Sequence, residues 1–506
     1  MLQADRRTRL SRHSISNVDS PTRKPHKIAE LRKVEHFRLR TKLTERLSSM
    51  ATILRKIAEQ LLSRTMFSDL AIDRARDAAV DTIGCMIAGR GDESVAALIR
   101  AFDGEIAGGG AARLVTGGSA SPSFAALINA TAAHALDFDD NFHPARAHAS
   151  AVLVPALLAV LTRGKATSGR RFLEAYLAGL EAQAAVGFGV NPSHYNRGWH
   201  ATATVGSIGA AAGVARLFGA DENGLAAAMS LATSFACGPK GQFGTTAKPL
   251  HAGIAARNAV DAARMALAGM SGRPDILERP QGFLDLFGGD DARGWDGLTF
   301  EAEHIIESRG VVTKRHPCCA STHRAIDALL DLKQEHGLLA GDIARIETKV
   351  GISAARNLAY PAPTDEMQAR FSMQYCLATA FLKGSLSLSD FTRQEIGRPE
   401  IREFMPRIEM RSYSADEEKG VERLPHVVTV TMRDGRILNK SRLHAKGSLE
   451  APMSVREREV KFIDCLRWGN RNVSGASFLQ LRGLANSENL SGDDPFWSLI
   501  TGHQSP

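Results

Sequence analysis

The sequence predicts a mostly α-helical protein: an all-helical domain built from both chain ends, with a smaller α+β domain inserted between them. Three observations predict this. Apolar residues recur at helix spacing from about 52 to 309, strand-like alternation begins after about 310, and helix spacing returns from Ser454. The expected boundaries are a basic arm at 1–51, the first helical part at 52–309, the α+β part at 310–449, the second helical part at 450–493 and a tail at 494–506.

The elements follow in order. Ile53, Ile57, Leu61 and Leu62 repeat with helical period. Ser121-Pro122 is a capping residue followed by proline at the first helical position, and it opens a helix over Phe124 to Ala135. Ser168 is placed to cap a helix with Phe172, Tyr176, Leu177 and Leu180 on one face. Residues 201–236 are dense in Ala and Gly, so Gly206, Gly209 and Gly213 predict closely approaching helices, and Asp221 caps the next one. Ile343 to Val350 alternates as a strand, and Val427 to Thr431 with Ile437-Leu438 predicts a hairpin around Asp434-Gly435. A helix over Phe371 to Lys383 lies between them, and another runs from Ser454 to about Trp468.

Charge and composition exclude several classes. The chain has 506 residues and a net charge of +8, but residues 1–50 hold 13 Lys and Arg against 5 Asp and Glu. The excess therefore sits in that segment, which reads as a disordered arm, and the body is balanced. No nucleic-acid partner is expected. The longest apolar run, Ala151 to Leu161, is too short to cross a bilayer and contains Pro155, so no membrane partner is expected either. Cys85, Cys237, Cys318, Cys319, Cys376 and Cys465 include no C-x-x-C pair, which fits reduced thiols in a cytoplasmic protein rather than a zinc or iron–sulfur site.

Four polar clusters interrupt the apolar text. His134, Asp137, Asp139, Asp140, Asn141, His143 and His148 crowd one short segment, which serves either as a capped helix end or as a site whose burial must be compensated. His200 stands before a Gly/Ala-rich helix, where the helix dipole favours the neutral imidazole suited to proton transfer. Lys248 lies at the start of an apolar helix. It follows Gly244-Thr245-Thr246-Ala247, which lacks the phosphate-loop signature. Lys314 and Arg315 fall where helical text gives way to α+β text, a junction suited to anionic ligands.

The strings HALDFDDNFHPARAHAS, GWHATATVGSIGAAAGVARLFG, FGTTAKPLHAGIAARNAV, KRHPCCASTH and RFSMQYCLATAFLKG, in this order, resemble the MmgE/PrpD family of 2-methylcitrate dehydratases, cis-aconitate decarboxylases and iminodisuccinate epimerases. The resemblance spans about residues 52–470. It implies a helical domain with an α+β lid, a site between them, no metal or organic cofactor, and a homodimer. Carried over residue by residue, it places the catalytic set on Asp137, His148, His200 and Lys248, with Asn141, Lys314 and Tyr375 contacting substrate. Asn141 replaces the Thr of vertebrate cis-aconitate decarboxylase, and the loop between Asp140 and His148 is one residue longer.

These residues imply a cofactor-independent lyase on a small di- or tricarboxylate, with dehydration through an enolate-like intermediate as the leading expectation. Decarboxylation and epimerisation of an amino-dicarboxylate are the alternatives, and a catalytically inactive binding protein on the same fold is a further one. His148 and His200 are expected as the acid–base pair and Asp137 as the group orienting one of them. Lys248 and Lys314 would hold carboxylates, and Tyr375 would act as an acid or a substrate contact.

Overall fold

Small side chains set how the helices meet. In the computed structural model, which describes residues 52–161, 166–421, 423–471, 475–490 and 496–501, the first core is helical. Its main members are α1 (Asp69–Gly89), α2 (Pro122–His134), α3 (Ala149–Ala159), α4 (Gly169–Val190), α5 (Val205–Phe218) and α6 (Ala247–Leu267). Helix α2 packs along α6, and α5 packs against both α4 and α6. A Cβ on Gly253 of α6 would stand 2.1 Å from Thr131 Oγ1 and 2.5 Å from the Leu127 carbonyl oxygen of α2. Only hydrogen fits there, which is how the two helices come so close. Gly209 meets Gln183 in the same way, as its setting in Ala/Gly-rich text predicts, whereas Gly206 has ordinary room.

The caps form where the sequence places them. Ser121 accepts from Phe124 N, Ser168 from Arg171 N and Asp221 from Gly224 N.

The second core is built on a four-stranded sheet. Strands β1 (Ile343–Val350), β2 (Ile408–Ser412), β3 (His426–Met432) and β4 (Ile437–Arg442) lie in the order β2-β1-β3-β4. Strand β1 pairs parallel with β2 (Ile346 opposite Ile408) and antiparallel with β3 (Ile346 opposite Val430). The β3–β4 turn closes on Met432 N to Arg436 O at 2.8 Å, with Gly435 at φ +89° as the left-handed residue. Val428, Val430 and Met432 point inward, where Ile326 and Leu329 of α7 (Ala320–His336) and Leu377 and Phe381 of α8 (Met373–Lys383) complete the core. Helix α8 starts two residues after the expected Phe371, because Ser372 caps it through Tyr375 N.

After the sheet the chain returns to the first core. Helix α9 (Val455–Trp468) packs against α1, where Phe462 faces Gly84, and Phe462 and Leu466 belong to the helical core.

The sequence pattern did not reveal strand β2 or a two-residue hairpin pairing Ala112–Arg113 with Ser119–Ala120. The arm expected at 1–51 and most of the tail at 494–506 lie outside the described residues. All six cysteines are free thiols, and no described helix is long and apolar enough to cross a membrane.

Candidate active site

The polar clusters of the sequence meet at one end of the helical core. Helix α2 ends at His134, and the chain then bends through Asp137, a non-glycine residue at φ +52°. Such backbone is costly and persists where surrounding contacts fix it. Here Lys314 Nζ donates to the Asp137 carbonyl at 2.7 Å and lies 3.1 Å from its Oδ2. Helix α3 starts directly after His148, and Lys248 is in the first turn of α6. The approach to α5 carries His200, whose backbone N donates to Gly238 O at 2.8 Å. One helix C-terminus and the starts of the next helices thus deliver side chains to one point.

Lys248 Nζ donates to Asp137 Oδ1 at 2.5 Å and to His134 Nε2 at 3.0 Å. An ammonium has only donors, so His134 Nε2 must accept and Nδ1 must carry the proton. That Nδ1–H points to Asp139 Oδ2 at 2.8 Å. His148 Nδ1 lies 3.1 Å from the same oxygen. The His134 ring is 4.4 Å from the His148 ring and 5.6 Å from the His200 ring, centroid to centroid. His200 Nδ1 faces His251 Nδ1 at 3.1 Å, so one of the two donates and the other accepts. Phe243 and Phe371 cover the cluster, each with its ring centre 5.5 Å from Lys248 Nζ.

Burial and charge set the protonation states. Burial opposes ionisation of Asp137, but Lys248 and Lys314 outweigh it and hold the carboxyl below its ordinary range. Burial likewise opposes ionisation of Asp139, and His134 and His148 outweigh it. Burial drives the His134 imidazole down to about 3, and burial lowers His148 and His200 as well, with Lys248 adding to the shift of all three. The histidines are therefore neutral at pH 7 and able to accept a proton. Asp140 is the opposite case: burial pushes its carboxyl up to about 7.

Four buried polar atoms in this region have neither a hydrogen bond nor an ion-pair contact among the described residues: Asp139 Oδ1, Asp140 Oδ2, Asn141 Nδ2 and His200 Nε2. Stranded polar atoms are costly, and their concentration marks where a polar ligand would complete the set.

The structure brings together Asp137, His148, His200, Lys248 and Lys314, with Asn141 beside them on a backbone bridge to Val312. Tyr375 is not among them. It is fully buried in the second core against Phe391, its hydroxyl donates to the Asp390 carbonyl, and burial raises its pKa. The role expected of Asp137 also changes. Its carboxylate pairs with two lysines, and Asp139 is the residue that orients histidines. His134, Asp139 and His251 stood in the quoted clusters without being singled out, because sequence spacing does not reveal which carboxylate of a bend faces which ring.

One nitrogen or oxygen from each of His134, Asp137, Asp139 and His148 lies within 4.8 Å of the others, a set with metal-ligand chemistry. Two ammonium groups already contact Asp137 and one of them contacts His134, so a divalent cation would have to displace or abut them. The donor set fits a paired-lysine site better than a metal centre.

Residues 56–295 match the MmgE/PrpD N-terminal domain and residues 316–472 the MmgE/PrpD C-terminal domain. Human cis-aconitate decarboxylase is 30% identical over 353 residues, covering 67% of this chain and 72% of the human protein. The mouse cis-aconitate decarboxylase is 28% identical, covering 67% and 71%. That of Aspergillus terreus is 24% identical over 373 residues, covering 69% and 74%.

Proposed function

Since the chain belongs to the MmgE/PrpD family, we propose that it is a cofactor-independent lyase acting on a small polycarboxylate, with carbon–carbon cleavage of a cis-aconitate-like tricarboxylate as its reaction. The observation that supports this is the juxtaposition of two neutral histidines, His148 against Asp139 and His200 with an unpartnered ring nitrogen, and two lysine ammonium groups on Asp137. A lyase that builds negative charge beside a carboxylate needs those two things: a proton carrier and fixed positive charge where the enolate develops.

In this reading, the ammonium groups of Lys248 and Lys314 attract the substrate carboxylate and stabilise the enolate-like state. The carbon–carboxylate bond breaks, CO₂ leaves, and the electron pair passes into the conjugated carboxylate. His148 or His200, after taking a proton from solvent as the anionic substrate binds, delivers that proton to carbon and returns to the neutral form. Asp139 fixes the His134 tautomer and steadies His148, and His251 sets the state of His200. Phe243 and Phe371 exclude water from the charge-bearing centre.

Dehydration remains the second reading, and Asn141 favours it. Its amide Nδ2 is buried without a partner and is able to hold a substrate oxygen such as a departing hydroxyl. In that version a histidine removes the carbon-bound proton, and a second acid gives the hydroxyl its proton as the C–O bond breaks. The relatives named above favour neither dehydration nor epimerisation.

Incubation in D₂O with cis-aconitate, citrate or 2-methylcitrate, followed by NMR and CO₂ detection, separates these outcomes. CO₂ release with one deuterium entering the product supports decarboxylation. Loss of water without CO₂ selects the dehydratase. Turnover of none of the three overturns the lyase reading.

A further inference from the structure

The inner cluster is charge-balanced. Asp137 and Asp139 face Lys248 and Lys314, and the histidines around them are neutral at pH 7. Asp140 can add only negative charge. A substrate with two or three carboxylates brings charge that this set cannot neutralise, so a further cationic group is required at its edge.

Such a group is present. Residues Pro239 to Thr246 form a strap from the His200 segment to α6. Trp199 bridges to Pro239, Lys240 N donates to Gly198 O at 2.7 Å, and Phe243 sets its ring 5.0 Å from His200 and 6.1 Å from Phe371. On this strap Lys240 Nζ sits 3.5 Å over the Tyr195 ring and 3.4 Å from the Tyr195 carbonyl. Tyr195 is held from the other core by Asn357, whose amide donates to its hydroxyl at 3.2 Å. The residue before Asn357 is Arg356, which is exposed, as is Arg146 on the loop between Asp140 and His148. Both guanidinium groups act on Lys240 electrostatically, and Tyr195 feels both Arg146 and Asp137. None of the ion pairs among the described residues uses Lys240, Arg146 or Arg356.

We propose that Lys240, Arg146 and Arg356 form an outer carboxylate-binding cradle, which holds the end of a polycarboxylate substrate farthest from the histidines. This rests on the polycarboxylate reading above and adds residues that determine substrate charge. Arg146 lies exposed on the loop between Asp140 and His148, outside the cluster of histidines and lysines.

The test is calorimetric titration with tricarballylate, a saturated tricarboxylate with no hydroxyl to lose, against glutarate as the dicarboxylate. Lys240→Gln is expected to raise the tricarballylate Kd at least tenfold and to flatten its dependence on salt, with smaller rises for Arg146→Gln and Arg356→Gln. Lys240→Arg is expected to restore binding, and glutarate affinity is expected to fall less. Burial, with Arg146 and Arg356, brings the Lys240 ammonium down to about 8. The other groups facing it do not gain or lose charge between pH 7 and 9. Tyr195 is pushed up to about 12, burial raises Cys319, and burial lowers His251 on α6. Binding by the unaltered protein is thus expected to weaken above pH 8, and binding by Lys240→Arg is expected not to. Unchanged Kd and salt slope in all three Gln variants would overturn the cradle alone. A wild-type protein that binds neither acid would overturn the polycarboxylate reading, and the cradle with it.

Discussion

Lys314 and Lys461 reach the same bend from different parts of the chain. Lys314 donates to the carbonyl of Asp137 at 2.7 Å, and Lys461 donates to the next carbonyl, that of Phe138, at 2.8 Å. Both side chains are buried and both pair with a carboxylate. Around Lys461 the set is closed: Asp81 offers its two oxygens at 2.8 and 2.9 Å, and the Phe138 ring lies 4.2 Å from the ammonium. Around Lys314 it is open, because Asp137 is shared with Lys248, and His200, Asp139 and Asp140 keep unpartnered atoms. The chemistry of the pairs is the same, so burial of charge alone does not mark a site. The stranded atoms beside one pair do.

Substitutions can break this contrast. The largest effect is expected at the open cluster. His200→Gln should lower turnover by about 10²- to 10⁴-fold while the melting temperature stays near wild type. Steady-state rates on whichever of the three candidate acids is turned over, beside calorimetry, check this, and near-normal turnover would remove His200 from the proton path. The closed pair should give the reverse signature. Lys461→Met leaves Asp81 buried without its cation and should destabilise the fold by about 3–5 kcal/mol in urea titrations. Turnover per folded molecule should hold, and adding Asp81→Asn should recover much of the stability.

The smallest effect sharpens the comparison through pH. The Asp140 carboxyl titrates near 7 in the folded chain against about 4 when unfolded. Between those values the folded state binds more protons, so this group's contribution to stability falls as pH rises from 4 to 7. Asp140→Asn keeps an oxygen for Ser150 N and cannot ionise. Its stability relative to wild type should therefore be greater at pH 8 than at pH 4, by urea midpoints at the two values. An equal difference at both would show that Asp140 is not buried as a neutral acid.

Local chemistry made much of the fold legible. Alternation revealed β1, Asp434-Gly435 revealed the β3–β4 hairpin, and Ser121, Ser168 and Asp221 revealed helix starts. Strand β2 escaped because its pairing is parallel and remote, and Ile408–Ser412 is too short to carry a period. At the site, His148, His200, Lys248 and Lys314 were legible through the resemblance, and the structure brings them together. Tyr375 was not separable from a core residue, since its hydroxyl finds a backbone carbonyl that no motif records. Asp139 takes the orienting role expected of Asp137, because a left-handed residue at 137 turns the two carboxylates to different neighbours.

The missing side chain at Gly253 reaches further than packing. Helix α2 carries the Asp137 bend just beyond its end, and α6 carries Lys248 in its first turn, so the spacing of that carboxylate and ammonium is inherited from how near the two helical axes lie. A single methyl group inserted at residue 253 would act as a wedge between them. The precision of the chemistry is thus held in reserve by one hydrogen atom on a residue that touches nothing that reacts.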